Sequence, residues 1–419
     1  MPAAADPGQT FAFELRLEGR PERWLFHLRS TALSLTIDTF TVYTFDREGR
    51  LFSTFQNGEN CRRGLDGQIL ARAGRDEGAA RVRSRRRLEA GEAAALVGAL
   101  QERLGVLATA IRQGRARVEA ARGAASPQAM LPWIERLRRW DAAALEADAR
   151  RFAAVYRPVS ILPPDQYMAL VVQVTEGCPW NRCAFCDLYR DRPYRVRGTG
   201  ELRSHLGEVR AFLGEALRLR RHLFLADGNL LSVPPARLQG LLEEVRAGFP
   251  EERFAELYAF CDVFGSRAFG DRELAALREL GLRRLYVGLE TGADGLRRAL
   301  NKPGSAAQLT DAVARLHRAG IRAGLIVLLG PGGREWADAH EAETAAALNR
   351  LDLATGDFVY FSPLVLPAGA GPERRAAVLG ATPLSEAEMG AQRQRLEARL
   401  RCLAAGARTA LYDIRDFTY

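Results

Sequence analysis

Three cysteines that could bind a metal centre stand within nine residues of one another, at Cys178, Cys183 and Cys186. Their spacing is C-x4-C-x2-C, and a short loop of this kind brings several thiolates together at little cost in loop-closure entropy. The other three cysteines are scattered along the chain, at Cys61, Cys261 and Cys402. This distribution indicates metal ligation rather than a disulfide framework.

Three kinds of metal centre are compatible with these thiols. A structural zinc site takes four protein ligands, so its fourth ligand would come from a distant part of the chain. The plant-type 2Fe-2S pattern has the same local spacing, and Cys261 or Cys402 would then be the fourth ligand. A 4Fe-4S cluster with three cysteine ligands and one open iron needs no further cysteine.

Glycine-bearing turns follow several apolar, strand-like runs downstream of the cysteines. These turns lie at 225–229, 286–292 and 328–333, and the cysteine run itself also follows an apolar strand. In α/β folds, ligands collect at the carboxyl ends of strands, so all four segments stand where a binding site is expected. Glycine allows the backbone to approach a ligand closely because it has no Cβ.

Together these four segments resemble the radical S-adenosylmethionine (radical SAM) superfamily, and the resemblance covers roughly 160–400. The commonest spacing in that family is C-x3-C-x2-C with an aromatic residue before the last cysteine, so this chain has one extra residue in the first gap. The resemblance implies a 4Fe-4S cluster on Cys178, Cys183 and Cys186, with SAM as the second cofactor. It also implies contacts to SAM from the aromatic residue and the three turns, namely Phe185, Asp227, Gly228, Asn229, Glu290 and Gly330.

The chemistry implied by the resemblance is radical chemistry. In this family the reduced cluster passes one electron to the SAM sulfonium, which leaves methionine and a 5'-deoxyadenosyl radical that removes a hydrogen atom from substrate. We therefore expect an oxidoreductase acting on a small molecule or a peptide. Cys261, which follows a strand, is a candidate donor of a hydrogen atom to the substrate radical. An RNA-modifying enzyme of this family and an iron-sulfur protein without SAM turnover are the alternatives.

The resemblance further implies an electron donor of the flavodoxin or ferredoxin type, and such donors are usually acidic. Five arginines beside the cysteine run form a candidate docking face for it, namely Arg182, Arg190, Arg192, Arg195 and Arg197. The net charge of +9, from 60 basic and 51 acidic residues, would also suit nucleic acid. However, Lys302 is the only lysine, which indicates genomic codon bias, so nucleic acid is not the favoured partner.

Apolar runs after residue 156 predict β-strands that alternate with amphipathic helices. These runs lie at 168–174, 222–226, 255–260, 284–289, 323–329 and 358–366. Near-continuous apolar strands separated by helices are typical of a parallel sheet covered by helices. The chain from 157 to 370 is too short for an eight-unit barrel, so we predict an α/β fold with a partial barrel of six β/α units.

Residues 1–156 are predicted to form an N-terminal domain of α+β type, with a small antiparallel sheet followed by helices. The alternation of apolar residues from Phe11 to Leu17 fits one face of a strand, and apolar residues at helical spacing from Val97 to Ile111 predict a long helix. The arginine-rich segment 71–90 is expected to be a solvated loop. Residues 371–419 are predicted to form a C-terminal helix and tail.

The composition, 47% hydrophobic and 26% charged, is ordinary for a folded soluble protein. The first ten residues show neither a basic nor an apolar segment, so no signal peptide is visible. The longest continuous apolar runs, at 168–174 and 324–329, fall short of the ~20 residues that a membrane helix needs. We therefore expect a cytoplasmic protein without a membrane anchor.

Overall fold

The computed structural model describes residues 9–77, 80–123, 126–366 and 369–419. The chain divides into two compact units. Unit 1 contains the chain up to Pro158 together with Glu208–Arg220 and Thr418–Tyr419, and unit 2 contains Val159–Gly207 and Arg221–Phe417. The division of the sequence at 156/157 and at 370/371 stays a prediction.

Unit 1 is built on an antiparallel sheet. Its strands are β1 (Phe11–Leu17), β2 (Arg23–Leu28), β3 (Leu33–Ile37), β4 (Thr41–Phe45), β5 (Leu51–Gln56), β6 (Glu59–Arg63), β7 (Ile69–Glu77), β8 (Ala80–Arg87) and β9 (Ala116–Arg122). They lie in the order β8-β7-β6-β5-β4-β3-β2-β1-β9, so β1 to β8 pair with their sequence neighbours and β9 returns beside β1. The helices of this unit are α1 (Ala90–Arg112), α2 (Leu131–Arg138) and α3 (Ala142–Val155).

The core of unit 1 is formed mainly by one face of the sheet together with α1. The predicted alternation in β1 is confirmed, because Phe11, Phe13, Leu15 and Leu17 are all buried. The predicted long helix is confirmed as well, and its buried residues include Leu104. Burial of these two apolar faces against each other supplies the main stabilisation of the unit.

The prediction of a loop at 71–90 is wrong for most of that segment. Here β7 pairs antiparallel with β8, with Leu70 opposite Arg87 at one end and Glu77 opposite Ala80 at the other. β8 is the edge strand of the sheet, and natural proteins commonly place charged side chains on such strands. The arginine content was therefore compatible with a strand as well as with a loop.

One helix among the described residues, α1, is long and apolar enough to cross a membrane by length and composition alone. Its apolar residues do not form one continuous run, because Gly98, Gln101 and Glu102 interrupt them. Its apolar stripe, which includes Leu100 and Leu107, packs in the core of unit 1. In this structure α1 is thus a core helix.

Unit 2 is built on a parallel sheet and a short two-stranded ribbon. The strands are β10 (Leu170–Gln173), β11 (Thr175–Glu176), β12 (Arg195–Val196), β13 (Leu223–Ala226), β14 (Leu257–Cys261), β15 (Leu282–Glu290), β16 (Arg322–Leu329), β17 (Phe358–Pro363) and β18 (Arg408–Leu411). The remaining helices of the chain are α4 (Thr199–Leu213), α5 (Pro235–Gly248), α6 (Asp271–Glu279), α7 (Asp294–Ala299), α8 (Ala306–Arg318), α9 (Gly333–Asn349), α10 (Pro372–Leu379) and α11 (Glu386–Ala398).

The parallel sheet has the strand order β10-β13-β14-β15-β16-β17-β18, while β11 pairs with β12. The six strands predicted after residue 156 are all present, and the α/β class of this part of the chain is confirmed. The sequence analysis missed β18, which adds a seventh strand to the described sheet. Its residues, Arg-Thr-Ala-Leu, form no apolar run, and none of them is buried because β18 lies at the edge of the sheet.

The parallel direction of the strands places the loops that follow them at one edge of the unit 2 sheet. Because all seven strands run parallel, their carboxyl ends lie along one edge of the sheet. The cysteine run follows β11 directly, and the three glycine-bearing turns follow β13, lie at the end of β15 and follow β16. This edge is therefore where the predicted site residues can meet.

Candidate active site

A cavity of about 420 Å³ lies among the loops at the carboxyl ends of the unit 2 strands. Seven of the ten predicted site residues line it: Cys178, Cys183, Phe185, Cys186, Gly228, Cys261 and Glu290. They come from the loops or ends of four elements, β11, β13, β14 and β15. The fold therefore gathers residues that are more than a hundred positions apart in the sequence.

The cysteine loop, residues 177–194, is closed at its base by the two-stranded ribbon. Thr175 pairs with Val196 and Glu176 pairs with Arg195. The Glu176 carboxylate accepts two hydrogen bonds from the Arg195 guanidinium, at 2.9 and 2.7 Å, and Arg197 lies 3.0 Å from the same carboxylate. Such a bidentate pair fixes geometry as well as charge, so the ribbon holds the two ends of the loop together.

Asp227 holds the first residue of the loop. Its carboxylate accepts a hydrogen bond from the Gly177 N–H at 2.9 Å and lies 3.3 Å from the Arg192 guanidinium. Gly177 has a φ of 76°, and a Cβ there would stand 2.9 Å from the Pro193 carbonyl oxygen, so only glycine fits. Burial raises the pKa of Asp227 to about 6, although Arg192 and the Gly177 N–H favour its charged form.

The opposite side of the cysteine loop is fastened to the turn that follows α7. The Trp180 indole N–H donates to the Asn301 carbonyl at 2.8 Å, and the Asn301 side-chain amide donates to the Arg182 carbonyl at 2.8 Å. The Ala184 N–H donates to the Leu300 carbonyl at 2.9 Å. With both ends and one side tied, the loop presents its three thiols from a defined backbone.

Several of the arginines in the candidate docking face brace this loop. Arg190 donates to the carbonyls of Cys183 and Cys186, at 3.1 Å each, and lies 2.7 Å from Asp187. Arg192 is buried against Asp227. Their guanidinium groups are engaged with the loop itself, and a docking face for an electron donor stays a prediction.

A buried lysine, which the sequence analysis did not assign to the site, stands beside the thiols. The Lys302 ammonium lies 3.0 Å from the Asp262 carboxylate and 3.1 Å from the Glu290 carboxylate, and all three residues line the cavity. Burial lowers the pKa of Lys302, but the two carboxylates and Cys183 outweigh this and raise it above its usual value. Lys302 is therefore a charged group, held between two acids.

The backbone around Glu290 is shaped to hold this ion pair. Glu290 has a φ of 59°, a left-handed conformation that is uncommon for residues other than glycine. A Cβ at Gly288 would overlap the Glu290 carboxylate and stand 2.7 Å from the Lys302 ammonium. Glycine at 288 thus leaves the space in which the two side chains meet.

His340, on α9, fixes the residue after Glu290. Its Nε2 donates to the Leu328 carbonyl at 3.1 Å, and its Nδ1 lies 2.8 Å from the Thr291 hydroxyl. Burial lowers the pKa of His340 to about 4, so the ring is neutral at physiological pH and its Nδ1 accepts the Thr291 proton. A neutral imidazole thereby holds the turn in which Glu290 stands.

The three thiols line one cavity. Burial raises the pKa of Cys183 to about 12, with Lys302 opposing the shift, and burial also raises the pKa of Cys186. In the described part of the chain no three His, Cys, Asp or Glu side chains converge closely enough to hold a single metal ion. A cubane cluster offers each cysteine a different iron, so three thiols around one shared cavity fit a cluster rather than a lone ion.

Cys261 and Phe185 also lie against the cavity. Cys261 ends β14 and is buried, and this burial raises the pKa of its thiol above the usual value. Its sulfur is therefore a protonated S–H group, as a hydrogen donor requires. Phe185 packs against an apolar cluster that includes Leu296, Leu328 and Leu364, so the cysteine loop is also anchored by its aromatic residue.

Three predicted contacts to SAM are not among the described residues that line the cavity: Asp227, Asn229 and Gly330. The Asn229 carbonyl oxygen of the side chain accepts from the Asp262 N–H at 3.3 Å, and the Gly330 N–H donates to the side chain of the buried Gln392 at 2.8 Å. Asp227 and Asn229 thus act on the positions of Gly177 and Asp262. A direct contact of any of the three with SAM stays a prediction.

Fold and site together describe an α/β domain whose strand ends carry a three-thiol loop beside a charged cavity. Residues 172–345 match the family model of the radical SAM superfamily. This segment is therefore a radical SAM domain, and such a domain supports an enzyme of the radical SAM class. A 4Fe-4S cluster and SAM are the cofactors of this class, and the three thiols fit the first of them.

The solved structures that resemble the chain are distant from it. They include the radical SAM methyltransferase TsrM from Kitasatospora setae, at 20% identity and a TM-score of 0.35, covering 50% of this chain and 40% of that one. Coproporphyrinogen III oxidase (HemN) from Escherichia coli has 17% identity and a TM-score of 0.40, covering 60% of this chain and 54% of that one. Methylornithine synthase (PylB) has 16% identity and a TM-score of 0.38, covering 57% and 70%.

This chain spans less than two thirds of the first of these proteins. No curated protein matches the chain. The substrates and reactions of these structural neighbours are therefore not carried over to it.

Proposed function

We propose that this protein is a radical SAM enzyme that abstracts a hydrogen atom from a small-molecule or peptide substrate. The observation that carries the proposal is the single cavity on which Cys178, Cys183, Cys186, Gly228 and Glu290 converge, inside a segment that matches the superfamily. When bound, the cluster and SAM supply reductive cleavage of a carbon-sulfur bond and the 5'-deoxyadenosyl radical.

The cysteine loop performs the binding step in this proposal. The three thiols lose their protons on binding iron, since thiolates are the ligands. The Glu176–Arg195 pair and the hydrogen bond from Gly177 to Asp227 keep the loop backbone in place during that exchange. Gly228 gives SAM access beside Cys178, because a Cβ at 228 would stand 3.0 Å from the Cys178 Cβ.

The charged group of Lys302, Asp262 and Glu290 orients SAM. SAM carries an ammonium, a carboxylate and a sulfonium, so a wall with both signs of charge can bind its polar end in one direction only. Lys302 holds the Glu290 carboxylate at 3.1 Å. Preorganisation of this kind lowers the entropic cost of binding.

The remaining walls exclude water from the reaction. A primary carbon radical reacts with any poorly placed C–H bond, so the protein must enclose it and present one substrate position. Cys261 is the proposed donor of a hydrogen atom to the substrate radical. The proposed electron donor is a protein of the flavodoxin or ferredoxin type.

Replacement of any one cluster cysteine tests the proposal. The protein is loaded anaerobically with iron and sulfide, reduced with dithionite and given SAM, and 5'-deoxyadenosine is quantified by chromatography. We expect product from the wild type and none above background from Cys178→Ala, Cys183→Ala or Cys186→Ala, because each change removes a ligand.

The matched control is Cys402→Ala, since Cys402 is a buried cysteine outside the residues that line the cavity. This variant should keep both the iron content and the product yield of the wild type. A fully loaded wild-type protein that forms no 5'-deoxyadenosine contradicts the proposed function.

A further inference from the structure

The C-x2-C turn, from Cys183 to Cys186, carries two of the three cysteines that are proposed to bind the cluster. Its backbone carbonyls accept hydrogen bonds from two guanidinium groups. Arg190 donates to the carbonyls of Cys183 and Cys186, at 3.1 Å each, and Arg374 donates to the carbonyl of Ala184 between them. Two arginines therefore hold this turn from its backbone side.

Asp187, the residue after the turn, joins the two arginines. Its carboxylate lies 2.7 Å from the Arg190 guanidinium and accepts two hydrogen bonds from Arg374, at 2.8 and 2.6 Å. Partly exposed ion pairs usually contribute little to stability, but a bidentate pair that belongs to a network is an exception. Asp187 and Arg374 are 28% and 25% exposed, so water screens their charges only in part.

The two arginines differ in where they come from. Arg190 belongs to the cysteine loop itself, whereas Arg374 lies on α10, 187 positions after Asp187 in the sequence. The Gly332 N–H donates to the Val378 carbonyl of α10 at 2.8 Å, and Val378 is buried in the apolar cluster on which the cysteine loop also rests. Arg374 therefore ties the turn to a helix that is itself anchored in unit 2.

The guanidinium of Arg374 also places a positive charge beside the turn. Reduction of a 4Fe-4S cluster adds one negative charge to it, and the net charge around a cluster is one of the factors that set its reduction potential. A nearby cation stabilises the reduced form more than the oxidised form, and a nearby anion does the opposite. Arg374 and Asp187 therefore act on the potential in opposite directions, although they form one ion pair.

We infer, resting on the function proposed above, that Arg374 is a positioning residue for the cluster. It holds the C-x2-C turn in the conformation that retains the cluster, and its charge favours the reduced state from which SAM cleavage starts. Arg374 acts through Asp187 and the Ala184 carbonyl, since it is not among the described residues that line the cavity.

The first measurement is the retention of the cluster. The wild type, Arg374→Gln and Arg374→Lys are loaded anaerobically with iron and sulfide, and the loss of visible cluster absorbance to excess EDTA is followed with time. We expect Arg374→Gln to lose its cluster about tenfold faster than the wild type, because the bidentate pair is gone. Arg374→Lys should be intermediate, since lysine keeps the charge but not the planar pair of donors.

The second measurement is the reduction potential of the cluster, by mediated titration with EPR detection and without SAM. We expect the potential of Arg374→Gln to fall by about 59 mV, which is a tenfold change in a one-electron equilibrium. Asp187→Asn should raise the potential, and Arg374→Lys should keep it near the wild-type value. A merely looser turn would shift Arg374→Gln and Asp187→Asn in the same direction, so opposite signs identify the effect of charge.

Arg395→Gln is the matched control for both measurements. Arg395, on α11, donates to both oxygens of the Glu341 carboxylate, at 3.0 and 2.7 Å, so this variant also breaks a bidentate ion pair. Neither residue is among the described residues that line the cavity. The control should keep the cluster retention and the reduction potential of the wild type.

Two results would overturn this inference. One is an Arg374→Gln protein that keeps the wild-type value of either quantity, and the other is a shift of the potential in the same direction in Arg374→Gln and Asp187→Asn. If either occurs while the wild type forms 5'-deoxyadenosine, the proposed function stands and the role of Arg374 is rejected. The expected shifts in a protein that forms no 5'-deoxyadenosine would reject the proposed function alone.

Discussion

Two buried cations, one in each unit, are held between two carboxylates but differ in what surrounds them. In unit 1, Arg50 lies 2.8 Å from Asp148 and 3.4 Å from Asp46, and it also donates to the Phe212 carbonyl at 2.8 Å. In unit 2, Lys302 lies between Asp262 and Glu290. The same pattern of charges therefore occurs twice.

The space beside each cation differs more than the charges do. Asp46 and Arg50 border a cavity of about 20 Å³, room for roughly one water molecule, whereas the Lys302 group lines about 420 Å³. The Arg50 guanidinium also lies over the Trp140 and Phe212 rings, each 5.0 Å away. A planar guanidinium with several donors suits a closed structural site, while a compact ammonium suits one wall of a binding site. The two groups carry similar charges, so the size of the cavity beside each one distinguishes the structural group of Arg50 from the proposed functional group of Lys302.

Lys302→Met is expected to have the largest effect, and it tests the functional half of the comparison. It leaves Asp262 and Glu290 facing each other without a cation, which displaces Glu290 from its position beside the cysteines. We expect the rate of 5'-deoxyadenosine formation to fall by about a hundredfold or more, since breaking a buried pair costs about 3 kcal/mol. Single-turnover assays at saturating SAM measure it, with iron content checked in parallel. A variant with normal rates would make this group structural too.

Arg50→Met tests the structural half. The change leaves Asp46 and Asp148 buried without their cation, and we expect the free energy of unfolding to fall by about 3 kcal/mol. Denaturant titration followed by circular dichroism measures that loss. The yield of 5'-deoxyadenosine per folded, cluster-loaded molecule should not change. A stable variant with reduced SAM cleavage would reverse the assignment of the two groups.

Lowering the pH tests whether His340 stabilises the turn that carries Glu290, one of the two partners of Lys302. Because the folded protein lowers the His340 pKa from 6.5 to about 4, the unfolded chain binds more protons between these values. Stability is therefore fully present above about pH 6.5 and is lost as the pH falls toward 4, by an amount on the order of 3 kcal/mol. Thermal unfolding of the wild type and of His340→Gln between pH 7.5 and 4.5 measures it. The two proteins should lose stability in parallel if His340 plays no part.

The sequence predicted those parts of the site that depend on local spacing. Cys178, Cys183 and Cys186 belong to one loop, and Gly228 and Glu290 each end or follow an apolar strand, so their placement at one sheet edge follows from parallel topology. Lys302 was missed because its partners, Asp262 and Glu290, become its neighbours only when β14 and β15 pair. Its one available signal was its rarity, a single lysine beside 59 arginines.

Two of the elements that the sequence did not predict, β8 and β18, are edge strands. None of the four residues of β18 is buried, so the alternation that marks a half-buried strand is absent from it. The interior strands of the parallel sheet, by contrast, were recognised because burial on both faces demands apolar residues.

The single lysine of this chain gives the site a chemical label of its own. Because Lys302 is buried and held protonated between two acids, an amine-specific reagent should modify it slowly in the folded protein and rapidly once the chain is unfolded. A change in that slow rate on addition of SAM, followed by mass spectrometry of the Lys302 peptide, would report cofactor occupancy without mutation.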